Sequence, residues 1–196
     1  MARLHTSFIL GYHGCDAGIG EELLSGQATM EHSDKEYDWL GPGVYFWEAD
    51  PNRAWEWADW KVGRKAYETP FVVGAAIDLG NCLDLMARES LEPLNDAYAS
   101  FSAIIAAADD DRALPENRRV GSSDEDKLLR YLDCAIIKHL HDALCDQGEE
   151  SFDTVRGLFT EGGELFPGSG FQKKTHVRVA VRNPSCIKGL FRVPRS

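Results

Sequence analysis

Gly41-Pro42-Gly43-Val44-Tyr45-Phe46, read together with Tyr12-His13-Gly14, decides how this chain folds and what it is built to hold. In each string a ring-bearing side chain stands beside glycine at the end of a β-prone run, and the missing Cβ lets a second backbone or a ligand approach closely. His13 and Tyr45 lie 32 positions apart. A cleft built on strand ends takes this form in sequence.

Outward from the second string, residues 44–47 read as a strand and Asp50-Pro51 opens a helix, Asp50 suiting the N-cap and Pro51 the first helical position. Ala54, Trp55 and Ala58 recur at helical spacing and predict one face packed on the strands. Upstream, residues 7–12 predict a strand that delivers His13, residues 16–24 a loop and short helix, and residues 28–40 a polar loop. Downstream, 71–79 and 81–85 read as strands, 87 to about 108 as helical, and 114–123 as an exposed loop after the solvated acidic run at 109–111. Ser123 then starts a long amphipathic helix carrying Leu128, Leu129, Leu132, Ile136, Leu140 and Leu144. Two closing strands, 176–182 and 186–193, flank the turn Asn183-Pro184-Ser185. Mixed strand and helix signals define an α+β fold.

A chain of 196 residues has the size of one catalytic domain, so residues 1–196 are read as a single unit. With 43% hydrophobic and 27% charged residues it reads as globular rather than disordered. Its formal charge of −11 argues against a strong non-specific grip on nucleic acid, while leaving room for a local basic patch. The five cysteines are odd in number and lack Cys-x-x-Cys spacing, which disfavours a disulfide framework and a structural zinc site and fits a reducing cytoplasm. No stretch approaches the ~20 apolar residues of a membrane span, and the first ten residues are too short an apolar run for a signal peptide.

The two strings resemble the NAD-binding signature of the ADP-ribosyltransferase superfamily, in the branch that holds the diphtheria-toxin-like enzymes and the poly(ADP-ribose) polymerases. The resemblance implies a split β-sandwich flanked by helices, with NAD bound as substrate in the cleft between the sheets. His13 would bond a ribose hydroxyl of the adenosine half, the Gly14 backbone would pair with the nicotinamide carboxamide, and Tyr45 would stack on the nicotinamide ring. The family's common serine eight residues after the tyrosine is here Arg53, which suits a phosphate or carboxylate contact; Trp55 is a second candidate for that wall.

The family's third residue, usually a glutamate at the start of a late strand, has no direct counterpart, because the entry to that strand reads Gly170-Phe171-Gln172-Lys173-Lys174-Thr175. Gln172 could supply a bifunctional hydrogen bond, and Thr175 stands at the aligned position. Glu161 and Glu164, from the Gly-rich loop Thr160-Glu161-Gly162-Gly163-Glu164, could swing in from the segment that often recognises the target. The resemblance implies transfer of a single ADP-ribose unit from NAD to a macromolecular acceptor, protein favoured over nucleic acid by the acidic charge. It also implies a small bacterial or phage-related toxin, effector or defence enzyme, with an antitoxin or immunity protein as partner. NAD glycohydrolysis and a non-catalytic module that binds ADP-ribose or a partner stay open, whereas the tRNA 2′-phosphotransferase branch calls for more basic residues. Lys173, Lys174 and Arg178 read as a solvated face and Cys15 as a buried structural cysteine.

Overall fold

A computed structural model describes residues 8–108, 111–120 and 126–195. In chain order the elements are β1 (Phe8–Asp16), α1 (Ala17–Ser25), β2 (Val44–Glu48), α2 (Pro51–Gly63), β3 (Pro70–Asp78), β4 (Cys82–Asp84), α3 (Leu91–Ala107), α4 (Tyr131–Asp146), β5 (Thr154–Phe159), β6 (His176–Val181) and β7 (Ile187–Arg192). All seven strands join one mixed sheet in the order β4-β5-β6-β2-β1-β3-β7. Among the described residues only β4 and β5 run parallel, and α3 and α4 lie within their long connection, as a parallel crossover requires.

The register of β1 sets where the sheet divides. β1 pairs with β3 along its whole length, from Phe8↔Asp78 to Asp16↔Pro70, but with β2 only at Gly11↔Glu48 and Tyr12↔Trp47. Beyond Tyr12 the two strands part, and the start of β2 pairs with β6 instead, Val44 opposite Val181 and Trp47 opposite Arg178. The sheet is therefore continuous in hydrogen bonding yet divided along the β1/β2 line.

Strand alternation fills both faces. Val44 and Phe46 point into a cluster with Ala75, Ile77, Val179 and Val181, while Tyr45, on the opposite face, joins Leu40, Leu83, Ile137, Leu140, Val155 and Ala180 beside α4. Phe46 is fully buried, and a Cβ on Gly11 would stand 2.8 Å from its own, so Phe46 wedges the two halves together. Arg156 on β5 grips Glu48 bidentately (2.6 and 2.8 Å) and Asp84 at 2.8 Å, tying β2, β5 and β4.

Several expectations need correcting. β1 does not stop at Tyr12 but runs to Asp16, because Gly14 and Cys15 stay paired with Val72 and Phe71. The start of the long helix at Ser123 lies outside the described residues, as do Asp109 and Asp110; α4 begins at Tyr131. Leu129 is held extended by a bridge to Arg118, and the Asn117 side chain caps the helix by accepting from the Leu132 N–H at 3.0 Å. The helical region from 87 opens as a 3₁₀ turn over Arg88–Ser90, and the closing turn is itself a 3₁₀ turn, Pro184–Cys186, capped by Asn183. Strand β5 was not expected. The cap of α2 is as expected: Asp50 accepts from the Arg53 N–H at 3.0 Å and Pro51 opens the helix.

Candidate functional site

His13 stands on β1 just where β2 departs. Its Nδ1 lies 2.9 Å from the Tyr45 carbonyl; a carbonyl only accepts, so Nδ1 carries the proton and Nε2 is left as an acceptor. Burial, helped by the charge of Arg178, pushes the His13 pKa down and keeps the ring neutral. The hydrogen bond spans the parting strands, so the ring braces the split.

Gly14 is glycine for a packing reason. A Cβ there would lie 2.5 Å from the Ala54 carbonyl oxygen of α2 and 3.3 Å from Trp57 Cδ1, so the helix rests directly on the strand. Gly41, at φ 75°, takes a backbone turn that other residues resist, and a Cβ would meet Ile137 at 2.6 Å. That turn feeds Tyr45, whose hydroxyl donates to the Gly41 carbonyl (2.8 Å) and accepts from the Leu40 N–H (3.0 Å). Tyr45 is thus a buried core side chain with its hydroxyl saturated and its pKa raised by burial.

One face of Tyr45 is covered by Arg178. The Arg178 guanidinium carbon lies 4.7 Å from the ring centroids of both Tyr45 and Trp47, so the cation sits between two aromatic side chains. Its solvated-face reading is therefore a miss: β6 alternation puts it on the same side as buried Ala180, against the rings of Tyr45 and Trp47. Burial lowers its pKa, with nearby Arg53 acting in the same direction against Tyr45, Asp38 and Glu161, and it stays charged. A cation between rings recovers about 0.5–2 kcal/mol, less than the several kcal/mol that desolvating an ion costs.

Arg53 and Glu161 meet. The Arg53 guanidinium binds the Glu161 carboxylate, and its other terminal nitrogen holds Glu56 at 2.5 Å. Both Arg53 and Glu161 are largely buried, with side chains 18% and 15% exposed, so this pair is screened less than a surface bridge. His176, at the start of β6, donates from Nδ1 to the Lys174 carbonyl at 2.9 Å and stacks on Phe159. Burial holds its pKa at about 4, with Arg178 and Arg53 adding to the depression.

The remaining candidates separate. Trp55 packs away from Arg53, with Tyr12 and Val193 and under Arg195 at 5.1 Å. Glu164 accepts from the Gly168 N–H at 2.9 Å and braces its own loop. Gln172 keeps its side-chain oxygen buried without a partner, and Thr175 is exposed, donating to the Gln172 carbonyl at 3.4 Å. Sequence reading missed Trp57, which sits against Gly14 and stacks on Trp60 at 5.0 Å. Helical phase held the signal, since Trp57 lies three residues after buried Ala54. Cys15 is buried, its thiol pushed up to about 11 by burial, which removes it as a nucleophile. Among the described residues no His, Cys, Asp and Glu cluster could hold a metal ion, and no helix is long and apolar enough to cross a membrane.

Set beside known proteins, the chain matches no protein-family model, no curated protein and no solved structure.

Proposed function

We propose that this protein transfers a single ADP-ribose unit from NAD to a macromolecular acceptor and releases nicotinamide, on a split β-sandwich of the ADP-ribosyltransferase kind. One observation supports the reading above the others: Glu161, from the loop after β5, meets Arg53, from the helix after the second string, beside the point where β1 and β2 part. A carboxylate thereby comes within electrostatic reach of Arg178, which lies on Tyr45, although no glutamate opens β6. His13 Nε2 accepts from a ribose hydroxyl, and the Gly14 backbone faces the carboxamide. Because Arg178 covers Tyr45, Trp57 is the ring left beside Gly14 for nicotinamide.

In this reading the bond between C1′ of the ribose and the nicotinamide nitrogen breaks, and nicotinamide leaves with the electron pair. Glu161 stabilises the positive charge left at C1′, and takes the proton that the acceptor nucleophile gives up as it bonds to C1′. Before NAD binds, Arg53 holds the carboxylate in place. The net charge of −11 favours a protein acceptor over nucleic acid. A non-catalytic ADP-ribose-binding module has its own support, since Arg53 neutralises Glu161.

Labelled NAD incubated with the protein and a cell lysate separates these readings. Label on protein is the expected result, and Glu161→Gln should slow nicotinamide release by about 100-fold or more. Glu164→Gln, Gln172→Ala and Thr175→Ala should stay within about tenfold of the parent. Label only in free ADP-ribose means glycohydrolysis, and no nicotinamide release leaves the binding module.

A further inference from the structure

We infer that Arg178, held between Tyr45 and Trp47, is the anion anchor of this cleft and binds a phosphoryl group of a nucleotide diphosphate, with Arg53 as the second cation. That the nucleotide is NAD rests on the function proposed above; the anchor itself does not. Arg53, Arg130 and Arg156 each hold a carboxylate, whereas the side chain of Arg178 has no ion pair and no hydrogen bond among the described residues. Its Nε is cut off from solvent without a partner, while the terminal nitrogens are neither bonded nor cut off. The fork that recognises phosphate is therefore the part of the side chain left open.

The fork is also preorganised. Arg178 lies within β6, its backbone opposite Trp47 on one side and Gly157 on the other, and two rings fix the guanidinium plane. An ordered cation loses little freedom when an anion arrives. Its field reaches His13 and His176. The whole chain, at −11, does not draw anions to itself, so the unpaired charge acts locally. Arg53 is close enough to act on Arg178 electrostatically and is shared between Glu56 and Glu161. A diphosphate brings two anionic groups to two guanidinium groups and can draw Arg53 off Glu161, leaving that carboxylate free; a monophosphate satisfies Arg178 alone.

Calorimetry on the full chain with ADP, AMP, adenosine and inorganic diphosphate tests this. The parent protein should bind ADP about tenfold or more tighter than adenosine, with AMP between, and inorganic diphosphate should compete. Arg178→Met should lose about tenfold in ADP affinity with adenosine unchanged, Arg178→Lys should lose less, and Arg53→Gln should weaken ADP more than AMP. ADP and adenosine binding within about twofold of each other in the parent overturns the anchor even if no variant folds, as does parent-like ADP binding by folded Arg178→Met. ADP binding through Arg178 without nicotinamide release from NAD sustains the anchor and removes the transferase reading. Equal NAD cleavage at low NAD by the parent and Arg178→Met removes the anchor alone.

Discussion

The two walls of the sheet are held by different means. On one side β1, β3 and β7 form long ladders, β1 and β3 pairing along the whole of β1 and β3 meeting β7 with one register shift between Ala76 and Ile77, with an apolar core beneath α1 and α2. On the other, β4, β5, β6 and β2 and the segments packed on them carry the Arg156–Glu48–Asp84 cluster, the Arg53–Glu161 contact, buried His176 at the start of β6 and buried His141 on α4. Two residue pairs, the Ala49 N–H bond to the Leu10 carbonyl (2.9 Å), the Phe46 wedge and the His13 bridge join them. One wall is thus held mainly by ladder length and burial and the other carries most of the buried charge, with the titratable ring of His13 at the seam between them.

The largest effect expected is on the wedge. Phe46→Ala should cost about 3–5 kcal/mol by cavity formation, and because Phe46 contacts both walls, they should unfold together at lower denaturant. Phe8→Ala, at a site 59% exposed, should stay within about 0.5 kcal/mol. Urea titration read at the tryptophans and by hydrogen exchange checks both, and a small Phe46→Ala effect would break the two-wall picture.

Acid should separate the walls. His141 and His176 are held at about 4 by burial, below the usual value of 6.5, so the unfolded chain binds more protons in between. Their contribution is fully present above pH 6.5 and is lost as pH falls from 6.5 through 4. Each histidine supplies at most about 3 kcal/mol. Urea stability at pH 7, 5.5 and 4, with hydrogen exchange, should show β5 and β6 losing protection before β1 and β3. His176→Phe should flatten the profile. Simultaneous loss in both walls would contradict the assignment.

The smallest effect belongs to the bridge. His13→Phe keeps a ring in place and deletes the bond to the Tyr45 carbonyl, costing about 1 kcal/mol. Faster amide exchange confined to the start of β2 is the expected signature; an unchanged exchange pattern would show that the bridge does not couple the walls.

Local chemistry explains what was readable in the sequence. Asp50-Pro51 caps α2 with its own side chain and ring, and Val44-Tyr45-Phe46-Trp47 is β-prone on both faces, so each element follows from its own residues. β5 is different: Gly157 interrupts it because Trp39 lies 2.8 Å from where a Cβ would be, and Arg156 answers Glu48 and Asp84 from elsewhere in the chain. Leu128 and Leu129 fit helical spacing, yet the bridge to Arg118 outweighs it. At the site, His13 and Gly14 were legible as a pair, while the Arg53–Glu161 contact spans 108 positions and leaves no local trace. Arg178 was hidden by its type: arginine suggests solvent, and only the rings of β2 make a partly dry place hospitable to it.

The placement of β7 fixes the order in which this protein is completed as it is made. β3 pairs with β1 as soon as both are synthesised, but its outer edge finds a partner only when residues 187–192 arrive, about a hundred residues later. At roughly 5–20 residues per second, the nascent chain carries an unpaired strand edge for on the order of 5–20 s. Both β3 and β2 wait in this way, but β3, at nine residues against five, presents the longer edge through which two half-made copies can join, and the six-residue β7 closes it.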